Sequence, residues 1–257
     1  MRPARANVIT TASAAVALAL ACGAPDGNGT ADGAGASNAG ETAGSGEEGA
    51  LDSGPGEWRV LFDGESLEHW RGFRMDSVPA GWQIVDGALT RVAEAGDLVT
   101  RDVFGDFELT LEWRVPTGGN SGVIYRVDEA VGDATYQTGP EMQVLDDAGH
   151  ADGASRLTAA GSLYGLYPAP AGVVRPAGEW NEARLVVRGH HVEHWLNGTR
   201  VVEAEIGSAD WGERVAASKF AAWPGFAGAD SGRIALQDHG DRVQYRAIRI
   251  RELRAPE

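Results

Sequence analysis

Residues 107–115 alternate strictly: Phe107, Leu109, Leu111, Trp113 and Val115 are apolar, with Glu108, Thr110, Glu112 and Arg114 between them. A period of two marks a strand with one buried face, because successive side chains point to opposite sides of a sheet. Shorter runs repeat the habit. Residues 183–187 form a second strand, and residues 191–196 and 199–204 flank Asn197-Gly198, a strong two-residue hairpin signal. Residues 232–237 and 243–250 read as a closing pair, the latter alternating Val243, Tyr245 and Ala247 against Gln244, Arg246 and Ile248. Gly, Asp, Asn and Pro separate these runs from Trp58 onward, with no long amphipathic helix, no βαβ spacing and no internal repeat. That combination predicts an all-β fold, a sandwich or jelly roll of antiparallel strands. Residues 128–140 and 147–178 are long and irregular, and such loops in a compact sandwich are expected to carry function.

The first 56 residues do not share this pattern. Arg2 and Arg5 precede the small apolar run 14–21, which ends at Cys22, the only cysteine. This is the layout of a secretion signal, too short for a membrane span. Ala19-Leu20-Ala21-Cys22 resembles the lipobox of bacterial lipoproteins, although that pattern prefers a larger aliphatic residue where Ala19 stands. Residues 1–22 are therefore expected to be a signal peptide with a lipidated cysteine, the alternative being an ordinary signal with an incidental thiol. Residues 23–56 are mostly Gly, Ala, Ser, Asn and Thr, with six acids (Asp26, Asp32, Glu41, Glu47, Glu48, Asp52) and no base. Such a segment cannot bury enough apolar surface to offset chain entropy, and it reads as a disordered acidic tether. The expected address is the bacterial cell envelope, outer membrane or periplasm, with a lipid anchor in the membrane. A net charge of −15 argues against a nucleic-acid partner. Lys219 is the single lysine among many arginines, which reads as genome composition. Residues 57–257 must fold on a hydrophobic core without a disulfide.

Within that domain, Glu141-Met142-Gln143-Val144-Leu145-Asp146 places polar groups where a core strand should be apolar. In an extended chain Glu141 and Gln143 share a face, and burying a carboxylate beside an amide is costly unless partners or a ligand compensate. Asn120-Ser121-Gly122 leads into a strand that reaches Arg126, and Leu236-Gln237-Asp238-His239-Gly240 closes one. Together these suggest a polar floor on a sheet.

These segments also carry a family likeness. Residues 61–70 (LFDGESLEHW) resemble the opening of the 3-keto-disaccharide hydrolase family, also described as 3-keto-glucoside 1,2-lyase/hydratase. Its further marks follow in order: Asp106-Phe107-Glu108-Leu109, Asn120-Ser121-Gly122 with Arg126, Glu141-x-Gln143-x-x-Asp146, Gly161-Ser162-Leu163-Tyr164, Gly178-Glu179-Trp180-Asn181, Leu196-Asn197-Gly198 and Leu236-Gln237-Asp238-His239-Gly240. The likeness spans about residues 57–253 and implies a concanavalin A-like lectin/glucanase jelly roll of two antiparallel sheets. It also implies an enzyme that takes a keto-sugar. Glucanases on such folds carry two or three carboxylates in an E-x-D-x-x-E run; here the run is E-x-Q-x-x-D, so a second same-face carboxylate is missing.

A 3-keto sugar asks for less: one base to take the hydrogen at C2, an electrophile for the C3 oxygen, and polar groups for hydroxyls. Glu141 and His239 are the candidate base or acid, and Arg126 the candidate clamp. Asn120, Ser121, Gln143, Tyr164, Gln237 and Trp223 are candidates for sugar contacts. Glu141, Asp146 and His239 are candidate ligands for a divalent metal. Plainer roles stand beside these. Glu141 and Arg126 fit a buried ion pair, Asn120-Ser121-Gly122 a turn, Asp238-His239-Gly240 another turn shaped by Asp238, and the remaining tryptophans packing. His190, His191 and His194 read as surface residues of a hairpin. The rival to an enzyme is a non-catalytic carbohydrate-binding surface module.

Overall fold

The computed structural model describes residues 56–253, so the leader, Cys22, the tether up to residue 55 and residues 254–257 lie outside the described residues. The first strands are β1 (Arg59–Phe62), β2 (Trp70–Gly72), β3 (Trp82–Val85), β4 (Ala88–Arg91), β5 (Leu98–Thr100) and β6 (Phe107–Arg114). They are followed by β7 (Asn120–Val127), β8 (Glu141–Leu145), β9 (Asn181–Arg188), β10 (His191–Leu196) and β11 (Thr199–Glu205). A short helix, α1 (Ala209–Ala216), precedes β12 (Arg233–Leu236) and β13 (Gln244–Glu252).

Alternation in β6 works as its sequence demands. Phe107, Leu109, Leu111 and Trp113 are buried, while Thr110, Glu112 and Arg114 are part-exposed. The strand pairs antiparallel with β9 on one side and β13 on the other. An eight-stranded sheet results, in the order β11-β10-β9-β6-β13-β4-β3, with β1 also paired to β13. The second sheet has five strands in the order β2-β5-β12-β7-β8. All these pairings are antiparallel, and the protein is an all-β sandwich of the jelly-roll kind. Leu109, Trp113, Tyr245 and Ile250 from the large sheet meet Leu98, Val123, Tyr125, Met142 and Leu236 from the small one in a single core. Asn197 and Gly198 both have positive φ (49° and 79°), the mirror-image turn that suits the right-handed twist of β10 and β11.

Two of the register shifts change which residues reach the core and the site. In β13 the register with β6 shifts between Arg246 and Arg249, where Ala247 takes φ 50°. The extra residue turns Ala247 outward and returns Ile248 to the core beside Val243, Tyr245 and Ile250, reversing the faces expected for Ala247 and Ile248. In β7, Tyr125 and Arg126 together oppose Ile234, and Arg126 has φ 55°. His194 also departs from expectation: it is fully buried in β10, between the Tyr125 hydroxyl (3.1 Å to Nε2) and the Gly161 carbonyl (3.1 Å to Nδ1).

Candidate active site

The outer face of the small sheet begins as apolar and turns polar at one end. Val99, Ile124, Val127 and Ala235 form a small second cluster under Phe73. From there the register sets Ile124 opposite Glu141, Gly122 opposite Gln143 and Asn120 opposite Leu145, all on that same face. Gln237 follows β12 and donates its backbone N–H to the Gly122 carbonyl (3.0 Å), which places it beside this row. Alternation in β8 thus sends Met142 and Val144 to the core while Glu141 and Gln143 face outward.

Glycine at position 122 makes room for the carboxylate. A Cβ built there would lie 2.1 Å from Glu141 Oε1 and 2.7 Å from its Cδ. The chain then closes over β8, the last strand of its sheet. Gly161 N–H donates to the Gln143 carbonyl (2.8 Å), Gln143 N–H to the Ser162 carbonyl (3.1 Å) and Tyr164 N–H to the Glu141 carbonyl (3.0 Å). This zipper satisfies the strand edge and brings the Tyr164 ring beside Glu141.

A cavity of about 140 Å³ sits on this platform, lined by Asn120, Tyr136, Glu141, Gln143, Tyr164, Lys219, Gln237 and His239. Six of these are residues expected from the sequence: Asn120, Glu141, Gln143, Tyr164, Gln237 and His239. Glu141 is the only carboxylate in the lining. Asn120 Oδ1, both amide atoms of Gln143 and Gln237 Oε1 are buried without a hydrogen-bond partner among the described residues. Each such group costs about 1–3 kcal/mol, so three amides left this way form a surface awaiting hydroxyl groups.

Electrostatics single out Glu141. Burial pushes its pKa up to about 8, with Asp97 and Asp152 adding to the rise and the Lys219 ammonium opposing it. Burial likewise raises the Tyr164 hydroxyl to about 12, assisted by the neighbouring Asp152 and Glu141 charges, so it stays neutral. Asp97 is also raised by burial, although the Thr135 hydroxyl and the Asp238 N–H (2.8 Å) bond to its carboxylate.

Asp238 plays the structural part its turn suggested. Its carboxylate accepts the N–H groups of Ala95 (2.7 Å), Gly96 (3.0 Å) and Gly240 (3.0 Å), and the Arg91 Nε–H (2.7 Å). That anchor holds the turn from which His239 reaches the cavity, its ring 6.3 Å from that of His150.

Four expected residues lie elsewhere. The β7 bulge turns Arg126 away from the cavity; its guanidinium donates to the Gly189 carbonyl (2.6 Å) and lies 3.9 Å from Asp106, so neither the clamp nor a Glu141–Arg126 pair forms. Ser121 has the opposite parity from Asn120 and bonds inward to the Gln237 carbonyl (2.6 Å) and the Tyr245 hydroxyl (2.7 Å). Asp146 is spent on backbone, accepting N–H groups from Gly118 (2.8 Å) and Ala148 (3.3 Å), so Glu141, Asp146 and His239 do not converge on one cation. Among the described residues the group of metal-type side chains that does converge is His191, Glu193 and Glu203, on the β10–β11 hairpin. Trp223 is outside the lining and backs Tyr136, with ring centroids 5.4 Å apart.

Tyr136 and Lys219 were not anticipated. Both come from single turns, Thr135–Gln137 and Lys219–Ala222, where periodicity carries no information. Lys219 had one signal, its survival as the lone lysine in an arginine-rich chain.

Comparison with known proteins agrees with this architecture. A 3-keto-disaccharide hydrolase from Bacteroides thetaiotaomicron is 34% identical over 225 residues, covering 76% of this chain and 78% of that protein. A crystal structure from Parabacteroides distasonis, provisionally named a glycosyl hydrolase, superposes with a TM-score of 0.70 at 31% identity, over 77% of this chain and 94% of that one. A second structure from that organism, similarly named, gives 0.59 at 30% identity, over 77% and 100% of the respective chains. Residues 57–251 match the family described as the 3-keto-alpha-glucoside-1,2-lyase-like domain, and the chain belongs to that family.

Proposed function

We propose that this protein cleaves 3-keto-glycosides by removal of the C2 proton, elimination of the C1 substituent and hydration of the product. The observation that carries the reading is the solitary buried carboxylate, Glu141, in a cavity otherwise lined by amides, two tyrosines, a histidine and a lysine. Ordinary glycoside hydrolysis uses two carboxyl groups about 5–9.5 Å apart across the scissile bond, and Glu141 has no such companion in the lining. A ketone at C3 removes that requirement, because it acidifies the neighbouring C2–H.

Ionised Glu141 takes the C2 proton, and the electron pair moves into an enolate with charge on the C3 oxygen. Collapse of the enolate restores the ketone, forms the C1–C2 double bond and expels the C1 oxygen, to which His239 at the rim delivers a proton. Water then adds its hydroxide at C1 and gives its proton back to His239, while the proton held by Glu141 returns to C2, giving a keto-sugar and an alcohol, the products of net hydrolysis. Asn120, Gln143 and Gln237 supply hydrogen bonds to sugar hydroxyls, satisfying the amide atoms that the protein leaves unpaired. Export and attachment to the envelope through Cys22 complete the proposal, with the acidic segment as spacer.

The test is incubation of the purified protein with a 3-keto-glucoside and with its parent glucoside, with and without divalent metal. Loss of the keto substrate alone is expected. Cleavage of the parent glucoside would sink the keto requirement, and survival of both compounds with retained sugar binding would make this a binding module.

A further inference from the structure

The enolate on the C3 oxygen needs a positive partner, and the sequence had assigned that part to Arg126, which the β7 bulge turns to Gly189 and Asp106. Of the cavity-lining residues, Lys219 alone is a lysine or arginine. Tyr164 is neutral, since burial raises its hydroxyl pKa to about 12. We propose that Lys219 is a catalytic residue whose ammonium donates a hydrogen bond to the C3 oxygen and stabilises the enolate. This assignment rests on the keto-sugar reaction proposed above.

Three observations support it. Among the described residues, Lys219 forms no ion pair and no hydrogen bond, so its three N–H donors are uncommitted. Its Nζ sits 4.3 Å from the Tyr164 ring centroid and 5.4 Å from that of Phe220, a cation–π seat that aims a flexible side chain without consuming its donors. Its charge also opposes the rise in the Glu141 pKa, so the two groups are within electrostatic reach. C2 and C3 are adjacent atoms, and a base and a cation serving them must share one small cavity, as Glu141 and Lys219 do. The turn that presents Lys219 is fixed by Ser218, whose hydroxyl accepts the Phe220 N–H (3.1 Å), and by burial of Phe220.

Removing one oxyanion donor typically lowers kcat by about 10²–10³-fold. Lys219→Met should show a loss of that size in kcat and in exchange of the C2 hydrogen with D2O, with an unchanged thermal melt. Lys219→Arg, which keeps a charge but no nucleophilic amine, should recover at least about tenfold of it. Borohydride added during wild-type turnover should trap no adduct on the protein. If wild type cleaves the keto substrate but Lys219→Met stays within about threefold, the assignment falls and the proposed reaction stands. An arginine variant no better than methionine, or a trapped lysine–sugar adduct, also overturns the electrostatic role. A wild-type protein that neither cleaves nor exchanges the keto substrate removes both.

Discussion

Glu141 lies across Gly122, so closely that a methyl group on that glycine would overlap Oε1 at 2.1 Å. The relation is cross-strand, from β8 to β7, and both backbones are held by sheet hydrogen bonds. Gly122→Ala must therefore move the carboxylate rather than the strands. We expect kcat to fall about 100-fold, the effect of displacing a reacting group by an ångström, with a much smaller change in the melting temperature. Unimpaired turnover in Gly122→Ala would show that the carboxylate's position is not critical.

Glu141 also destabilises the protein it serves. Its folded pKa of about 8 lies above the ordinary 4.5, so the folded state holds the proton more tightly than the unfolded chain between those values. Stability from this group is complete below pH 4.5 and is lost as pH rises towards 8. Glu141→Gln should match wild type near pH 4.5 and exceed it at pH 8, by on the order of 3–5 kcal/mol, while losing activity. Denaturant titrations at the two pH values measure this; equal stabilities at pH 8 would contradict it. The same shift predicts that kcat/KM of wild type climbs with pH up to about 8 as the base ionises.

His194 gives a slope of the opposite sign. Burial lowers its pKa from 6.5 to about 4, so the unfolded chain takes up the proton first as the solution is acidified. Stability from the neutral imidazole is present above pH 6.5 and is lost as pH falls to 4, amounting to about 3 kcal/mol. Urea midpoints measured from pH 7 to 4 should decline in wild type and decline less in His194→Gln. Parallel curves for the two proteins would rule this histidine out as the cause.

The lipidation proposed at Cys22 has a direct readout. Radiolabelled palmitate fed to the producing cells should enter the wild-type chain and not Cys22→Ala, which should be released in soluble form. Equal labelling of the two would refute the anchor.

Regular strands were legible because a half-buried sheet writes its faces into the sequence. The apolar and polar rows of residues 107–115 reappear as the inside and outside of β6, and Asn197-Gly198 makes the turn its residues demand. Glu141 and Gln143 were visible for the same reason, as polar residues at period two. What escaped depends on backbone departures that no side-chain pattern announces. One extra residue in β7 carries Arg126 out of reach, and one in β13 exchanges the faces of Ala247 and Ile248. Tyr136 comes from the irregular turn just before β8, and Lys219 from a turn far along the chain that tertiary packing brings to the cavity. His194 was misplaced because its partners, Tyr125 and Gly161, come from other segments.

The split duty of β8 has a consequence for how such proteins can diversify. Glu141 and Gln143 face the cavity while Met142 and Val144 face the core, so loss or gain of one residue in the strand would exchange them. Met142 would enter the cavity and Glu141 would enter the hydrocarbon interior, destroying activity and stability at one stroke. Length changes between homologues should therefore collect in the segments around Tyr136, Tyr164 and Lys219, where they reshape the cavity wall. New substrates can be acquired there by drift, while β8 keeps its length.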